Sequence, residues 1–181
     1  MANILKPQAQ DSTQPEQLNS RVELPKKTYI IRCKKADFKI SAKGNPMIVL
    51  VWELCRPETV SIAGRNYSIA GVELRPQYLT LNEDVNHPGM KRFFDLQTTL
   101  NIEAGVDLED PVSYAEAFVG KIANAICDSE EYIRRESLTE AEVAAGKTPQ
   151  EAEPLRYEDG TEVKGYNPSL RQVLESSSVT L

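Results

Sequence analysis

Residues 28–55 have the sequence TYIIRCKKADFKISAKGNPMIVLVWELC, and this stretch decides the expected fold. Residues 28–37 alternate between apolar and polar side chains, which is typical of a strand with one buried face. Residues 47–55 are almost continuously apolar and rich in β-branched side chains, which predicts a central strand. The Gly-Asn-Pro signal within residues 41–46 predicts a turn between the two strands.

The strand over residues 47–55 is expected to have two different faces. Trp52 falls on a wholly apolar face, whereas Glu53 falls on the opposite face and carries the only charge of this strand. Burying Glu53 without a partner is costly. We therefore expect Trp52 to be a structural core residue and Glu53 to face solvent or a ligand.

Two further alternating runs, residues 58–62 and 67–81, predict additional strands. Residues 63–66 (Ala-Gly-Arg-Asn) lie between the runs and predict a hairpin tip. Gly71 lies inside the second run, where a glycine indicates a bulge or a bend.

Helical spacing of apolar residues follows these strands and predicts a helix over residues 88–101. A shorter helix is expected over residues 111–118, with Asp110 placed to cap it. His87, the only histidine, precedes the first helix and is expected to be an ordinary loop residue.

The last third of the chain returns to strand character. Residues 118–127 predict one strand, and residues 130–136 predict a second strand paired with it. Residues 138–154 are an insertion rich in Ala and Glu, for which a short exposed helix and disorder remain alternatives. Residues 156–165 predict a late hairpin, because their Asp-Gly pair is a turn signal.

The two ends of the chain differ in composition from the middle. Residues 1–20 are rich in Gln, Pro, Ser and Asn and predict a flexible arm, and residues 175–181 predict a frayed end. Residues 21–174 are then expected to form a single domain. Because no secretory signal and no membrane span are evident, we expect the protein to stay in the cytoplasm, without membrane contact.

The order of these elements is three strands, one helix and then two or more strands, which is the order of the OB-fold. The expected class is mainly β with α additions. The expected architecture is a five-stranded, partly open barrel with a helix between strands 3 and 4.

The segment Lys39-Ile40-Ser41-Ala42-Lys43-Gly44-Asn45-Pro46-Met47 resembles the K-x-S-x-x-G-N-x-M segment of small phage-encoded OB-fold proteins. Residues 118–121 (Phe-Val-Gly-Lys) and 165–167 (Gly-Tyr-Asn) are similar to that group as well, and the likeness covers residues 26–136 and, weakly, 156–168. The resemblance implies a single-stranded DNA-binding protein that assists replication or recombination. The chain lacks the acidic, Phe-ending tail by which better-known proteins of this kind recruit partners.

Charge is unevenly distributed along the chain. The net charge of −6 counts against nucleic-acid binding, because phosphates are contacted by Lys and Arg. Residues 21–43, however, contain eight bases against two acids, whereas acids crowd residues 103–162. A binding surface and a solvated strand face both explain such a basic run.

A positive groove and aromatic stacking platforms hold single strands. The expected phosphate contacts from the first strand and its loop are Arg32, Lys34, Lys39 and Lys43. Phe38 is either a stacking platform or a core residue. Arg65 and Tyr67 form an analogous pair in the hairpin, and Lys121 either joins the groove or is simply exposed.

No cofactor, metal site or catalytic group is expected from the remaining residues. Cys33, Cys55 and Cys127 are widely spaced among apolar neighbours and predict buried free thiols. The acidic residues Glu103, Asp107, Glu109 and Asp110 lack the spacing of a calcium loop and predict a solvated loop. The one catalytic alternative is a metal-dependent nuclease that uses Asp159, Glu162 and Lys164.

Single-stranded DNA is therefore the expected ligand, with RNA as an alternative, and the protein is not expected to be an enzyme. Replication or recombination proteins and a second copy of the chain are the partners considered. The main competing hypothesis is a protein-interaction module or an inhibitor that uses an OB-like groove.

Overall fold

The computed structural model describes residues 14–181, and these residues form eight β-strands and three α-helices. The strands are β1 (Glu16–Gln17), β2 (Lys27–Ile40), β3 (Pro46–Arg56), β4 (Thr59–Ile62), β5 (Arg65–Ser68), β6 (Gln77–Thr80), β7 (Ile122–Ile133) and β8 (Lys164–Ser176). The helices are α1 (Pro88–Thr99), α2 (Pro111–Glu116) and α3 (Glu140–Ala144). None of these helices is long and apolar enough to cross a membrane.

The strands form two sheets, which confirms the expectation of a mainly β protein. The larger sheet has the order β6-β3-β2-β7-β8 and is antiparallel throughout. The smaller sheet has the order β1-β5-β4, with β1 parallel to β5. Neither sheet closes into a barrel within residues 14–181.

A bulge in β2 decides which of its side chains face the core. Cys33 and Lys35 pair with successive residues of β3, so Lys34 is an extra residue without a partner in that strand. The extra residue shifts the alternation by one position. Phe38 therefore packs against the core, and the exposed Lys39 falls on the opposite face.

The core lies on the inner face of the larger sheet, against α1 and α2. Trp52 is fully buried, and its indole Nε1 donates a hydrogen bond to Gln77 Oε1 at 3.0 Å. Phe93 of α1 packs against Phe118, with 5.8 Å between the ring centroids. The prediction that Trp52 is a core residue is confirmed.

Helix α1 packs against β6 and β8, which are the two edge strands of the larger sheet. The two edges also meet at one backbone contact, in which Arg75 N donates to Pro168 O at 2.8 Å. The larger sheet is therefore curled so that its edges approach each other beside α1, without a ladder of hydrogen bonds between them.

Two strand predictions from the last third of the chain are wrong. The strands expected over residues 118–127 and 130–136 are one continuous strand, β7, because β8 pairs with it along nearly its whole length. Strand β8 itself was not predicted, since Pro168 and two bulges obscure its alternation. It extends to Ser176, so the frayed end begins later than expected.

The run over residues 67–81 was expected to be one bent strand but is divided into β5 and β6. Gly71 lies between them with a φ of +80°, a conformation that glycine adopts without steric cost. The predicted break is therefore a complete turn.

The helix predicted over residues 88–101 is confirmed as α1. His87 is its N-cap, because the side-chain Nδ1 accepts a hydrogen bond from Gly89 N at 3.1 Å. Helix α2 is shorter than expected, and Asp110 does not cap it through its side chain, which instead accepts a hydrogen bond from Ser113 Oγ at 3.2 Å.

The insertion over residues 138–154 adopts the helical alternative, with α3 followed by a single 3-10 turn at Pro149–Glu151. Of the predicted N-terminal arm, residues 1–13 lie outside the described residues. The remaining part, residues 14–20, is not a free arm, because β1 pairs with β5 and Leu18 is buried in the core.

Candidate nucleic-acid interface

Arg32 and Lys34, the first two expected phosphate contacts, are both bonded to acids of the protein. Arg32 Nε donates to Glu53 Oε1 at 2.8 Å, and this hydrogen bond raises the pKa of the guanidinium. Lys34 Nζ donates to Glu73 Oε1 at 2.7 Å, which raises the pKa of the ammonium group. Both charges are thus largely balanced within the sheet.

Glu53 was expected to face solvent or a ligand, and the first of these alternatives is wrong. Glu53 is only 5% exposed. It does lie on the face opposite Trp52, as expected. Arg32 and Lys34 cover the carboxylate and supply the opposite charge that makes its burial tolerable. Alternation gave the correct face, but the ion pairs across the strands decided the burial.

The two aromatic candidates for a stacking platform pack against the core, and for Phe38 this is the core alternative. Tyr67 is buried in the hydrophobic core, and Phe38 is half-buried against it. A base needs an open ring face on which to stack. We therefore remove Phe38 and Tyr67 from the candidate interface.

The other four expected residues do not form one group. Lys39 and Lys43 are exposed near the tip of the β2–β3 hairpin, and Arg65 is exposed at the start of β5 in the smaller sheet. Lys121 is half-buried. Together with Tyr114 of α2 it lines a cavity to which none of the other expected residues contributes. Only Lys39 and Lys43 therefore remain together as a basic surface.

A different cluster of bases and aromatics is present at the far end of β7 and β8. Beyond Cys127, β7 no longer pairs with β2, so residues 128–133 and 164–169 form a two-stranded ribbon. We call this segment the β7–β8 ribbon. On one of its faces lies a cleft of about 590 Å³. Its lining includes Arg21, Arg134, Arg156, Lys164, Tyr157 and Tyr166, and we call it the basic cleft.

Three segments of the chain build the basic cleft, and they are Arg21, Arg134 just after β7, and the continuous stretch of residues 155–166. Strand β8 supplies Lys164 and Tyr166, and the backbone N of Tyr166 donates to Ser20 O at 2.8 Å, which holds the neighbouring Arg21 in place. The hairpin over residues 156–162 supplies Arg156, whose guanidinium donates to Gly160 O at 2.9 Å. The cleft is therefore formed by residues far apart in the sequence.

The basic cleft is positively charged within an acidic protein. Glu162 is the one acidic residue in its described lining, and it lies 3.1 Å from the Arg156 guanidinium. Lys164 donates to Glu131 at 3.0 Å, and this hydrogen bond raises the Lys164 pKa. Arg21 and Arg134 have no acidic partner among residues 14–181.

The residue types in the basic cleft suit a single-stranded nucleic acid. Guanidinium groups bind phosphate oxygens through two parallel hydrogen bonds, and Arg21 and Arg134 are free to do so. Tyr157 is 59% exposed and offers an open ring, while Tyr166 is half-buried in the wall. Such an arrangement can bind phosphates and stack a base in the same place.

The sequence analysis missed the basic cleft because its bases are separated by acids. Arg156-Tyr157 is followed by Glu158 and Asp159, so no local window is basic. The available signal was the alternation of basic and aromatic residues in Arg156-Tyr157 and Lys164-Gly165-Tyr166. Nothing in the sequence placed Arg21 beside them.

The residues of the hypothetical nuclease are each engaged by another partner. Asp159 accepts hydrogen bonds from the hydroxyl and the backbone of Thr161, which lower its pKa. Glu162 is bonded to Arg156, and Lys164 is bonded to Glu131. The three side chains are therefore held by different neighbours.

The remaining predicted residues have ordinary structural surroundings. Burial raises the pKa of the Cys33 and Cys127 thiols to about 12, whereas Cys55 is only half-buried. The expectation of three buried thiols is thus met at two positions. The four residues of the acidic loop are exposed, as expected; they are Glu103, Asp107, Glu109 and Asp110.

Comparison with known proteins leaves the function open. The chain matches no model of a known protein family, and a comparison with curated proteins gave no match either. The functional interpretation therefore depends on the geometry of the basic cleft.

Proposed function

We propose that this protein binds single-stranded nucleic acid, with single-stranded DNA as the preferred ligand, and that the basic cleft is the main contact. The observation that carries the proposal is the convergence of four cationic and two tyrosine side chains on one cleft of about 590 Å³. Backbone phosphates and stacked bases are the two features of a single strand that such residues bind.

The order of strands supports an OB-like architecture. Numbered by their order in the chain, the five strands of the larger sheet have the spatial order 3-2-1-4-5. That is the order of an OB-fold barrel opened between its third and fifth strands. The contact between Arg75 N and Pro168 O lies at this opening, and α1 connects the third and fourth strands.

In OB-folds the loops between strands 1 and 2 and between strands 4 and 5 contribute to ligand binding. The corresponding connections in this chain are the tip of the β2–β3 hairpin and the segment that joins β7 to β8, which contains the insertion over residues 138–154. Lys39 and Lys43 lie near the first connection, and the basic cleft lies beside the second. We include both basic surfaces in the proposed interface.

The proposed biological role is the protection or organisation of single strands during replication or recombination. It rests on the resemblance to phage-encoded OB-fold proteins around Lys39–Met47 and implies action in the host cytoplasm. No catalytic step is part of this proposal.

The test is fluorescence anisotropy of labelled oligo-dT and of a matched duplex, at about 50 and 200 mM salt. We expect the wild-type protein to bind oligo-dT more tightly than the duplex. The double variant Arg21→Ala/Arg134→Ala removes the two cations without acidic partners, so affinity should fall about tenfold or more. The log–log salt slope should also become shallower by about 1.4, or 0.7 per contact.

Arg92→Ala is the matched control, because Arg92 is an exposed arginine on α1, outside the basic cleft. It should leave the affinity for oligo-dT unchanged. The proposal is wrong if micromolar wild-type protein gives no anisotropy change with oligo-dT, or if the double variant binds as tightly as the control.

One observation favours a protein-interaction module as the second candidate function. Strand β8 is an edge strand of the larger sheet and exposes Leu174 to 42%. An edge strand can add a strand from another chain. Sedimentation of the protein alone tests for a second copy, and a monomer that also fails to bind oligo-dT would direct attention to other protein partners.

A further inference from the structure

Tyr132 of β7 lies over a glycine on the neighbouring strand. Tyr132 and Gly165 are directly paired across the β7–β8 ribbon. A Cβ atom at Gly165 would come within 2.5 Å of Tyr132 Cζ and within 2.8 Å of Cε1 and Oη. With the Tyr132 ring in this place, no side chain larger than the hydrogen of glycine fits at residue 165. The ring therefore packs directly on the backbone of Gly165.

Part of Tyr132 stays accessible beside its contact with Gly165. Tyr132 is 37% exposed and lines a cleft of about 610 Å³, which we call the tyrosine cleft. Pro149 and Gln150 of the 3-10 turn form part of its wall. The cleft therefore holds a partly supported aromatic ring with open space beside it.

Two arginines adjoin Tyr132 in the tyrosine cleft. Arg135 donates through Nη1 to Ala152 O at 2.6 Å, which fixes the guanidinium while leaving its other donors for a ligand. Arg75 is paired with Glu130, so its charge is balanced within the protein. Arg135 is thus the cation available to a phosphate beside the ring.

The tyrosine cleft and the basic cleft lie on opposite faces of the β7–β8 ribbon. Side chains of directly paired residues share a face, and successive residues alternate between faces. The pairs Tyr132 with Gly165 and Glu130 with Asn167 lie on one face, whereas Glu131 with Tyr166 lies on the other, where Tyr166 lines the basic cleft. The two clefts are therefore separate places on one structural unit.

We propose that the tyrosine cleft is a base-stacking subsite, in which an unpaired nucleobase stacks on Tyr132 while Arg135 contacts an adjoining phosphate. This proposal rests on the proposed binding of single strands. A tyrosine ring that already packs on the backbone loses little conformational freedom when a base stacks on it. With Phe38 and Tyr67 packed against the core, Tyr132 supplies a second stacking surface in addition to Tyr157 of the basic cleft.

Aromatic cover of a strand glycine can also be purely structural. The experiment therefore separates base-dependent affinity from backbone affinity. Anisotropy is measured with labelled oligo-dT and with an abasic deoxyribose-phosphate oligomer of equal length. The wild-type protein should bind oligo-dT more tightly, and the ratio of the two affinities reports stacking.

Tyr132→Leu keeps an apolar side chain over Gly165 but removes the π-face. We expect it to lower the affinity for oligo-dT about tenfold and to leave the affinity for the abasic oligomer unchanged. Tyr132→Phe should retain the wild-type ratio, because the phenyl ring still stacks. Tyr78→Leu is the matched control, since Tyr78 is an exposed strand tyrosine outside both clefts, and it should also retain the ratio.

Gly165→Ala tests the packing of the ring on Gly165, because the new methyl group displaces the ring while Tyr132 remains in the chain. We expect a folded protein whose preference for oligo-dT over the abasic oligomer is reduced. Circular dichroism and the melting temperature establish that each variant is folded. If Gly165→Ala fails to fold, 2-aminopurine oligomers are used with the wild-type protein and Tyr132→Leu. The quenching of 2-aminopurine fluorescence on binding should be weaker with Tyr132→Leu than with the wild type, and equal quenching would contradict the stacking subsite.

The outcomes distinguish the two proposals. If Tyr132→Leu binds oligo-dT and the abasic oligomer in the wild-type ratio, Tyr132 is a structural cover and the stacking subsite is wrong, while single-strand binding stands. If the wild-type protein binds neither oligomer, both proposals are wrong. If the abasic affinity falls together with the oligo-dT affinity, Tyr132 acts on the phosphate contacts rather than on a base.

Discussion

At the scale of single residues, Glu53 shows how charge and burial are reconciled in this sheet. The carboxylate is nearly inaccessible, whereas its two cationic partners, Arg32 and Lys34, are each about half exposed. Removing a cation leaves a buried carboxylate with weaker compensation, but removing the carboxylate leaves cations that water can still solvate. The two kinds of substitution should therefore have unequal effects.

Arg32→Ala should destabilise the protein by about 2–3 kcal/mol, because Glu53 keeps only Lys34, at 4.0 Å. Glu53→Gln should cost less, about 1 kcal/mol, since the amide still accepts a hydrogen bond from Arg32. Urea unfolding of both variants measures the difference. Affinity for oligo-dT should stay within twofold of the wild type in Arg32→Ala, and a large loss of affinity in a stable protein would return Arg32 to the interface.

A residue's position could be predicted from the sequence where alternation within one strand determines it, and not where the pairing between strands determines it. Trp52 and the face of Glu53 depend only on alternation within one strand, and both were predicted. The burial of Phe38 depends on the extra residue at Lys34, and the ion pair of Glu53 depends on the register between β2 and β3. Neither feature is visible in a single strand's pattern.

At the scale of elements, the bulge at Lys34 should allow β2 to lose one residue at little cost, unlike a regular strand. Deleting Lys34 removes the residue without a partner, so the flanking residues resume regular alternation with Phe38 still directed to the core. The lost ion pair with Glu73 is exposed and worth little, and the lost Lys34 contact with Glu53, at 4.0 Å, leaves the buried carboxylate its closer partner Arg32. We expect the deletion to cost less than about 1 kcal/mol in urea unfolding.

Deletion of Ala36 is the matched comparison. The chain can then keep Phe38 on the core face only by removing the bulge and turning Lys35 inward, which buries a charge without a partner. This variant should be markedly less stable than the Lys34 deletion. Equal stability of the two variants would show that the bulge does not set the register of β2.

The errors in the last third of the chain also arise because the pattern of a single strand was used to predict its structure. The polar run Asp128-Ser129-Glu130 looked like a break between two strands, yet it lies within β7. Residues of the β7–β8 ribbon pair only with each other beyond Cys127, so both faces of the ribbon have access to solvent and polar side chains fit there. Patterns based on one buried face do not apply to such a segment.

At the scale of the whole molecule, the net charge does not describe the local charge of the basic cleft. The protein carries −6, but many of its acids pair with exposed cations or lie in the separate acidic loop, and the basic cleft retains two arginines without acidic partners in the described chain. Electrostatic attraction of a strand depends on the local field within about one Debye length, near 8–10 Å. The mainly β class was predictable, whereas the basic cleft was not, because segments far apart in the sequence build it.

A map of the residues that touch a bound strand shows whether the basic cleft is the main contact. Oligo-dT containing 5-iododeoxyuridine is irradiated with the full-length protein, and the cross-linked peptides are identified by mass spectrometry. Binding in the basic cleft predicts cross-links at Tyr157 and Tyr166, which are lost in Arg21→Ala/Arg134→Ala. Cross-links confined to residues 28–43, or unaffected by that double substitution, would contradict it.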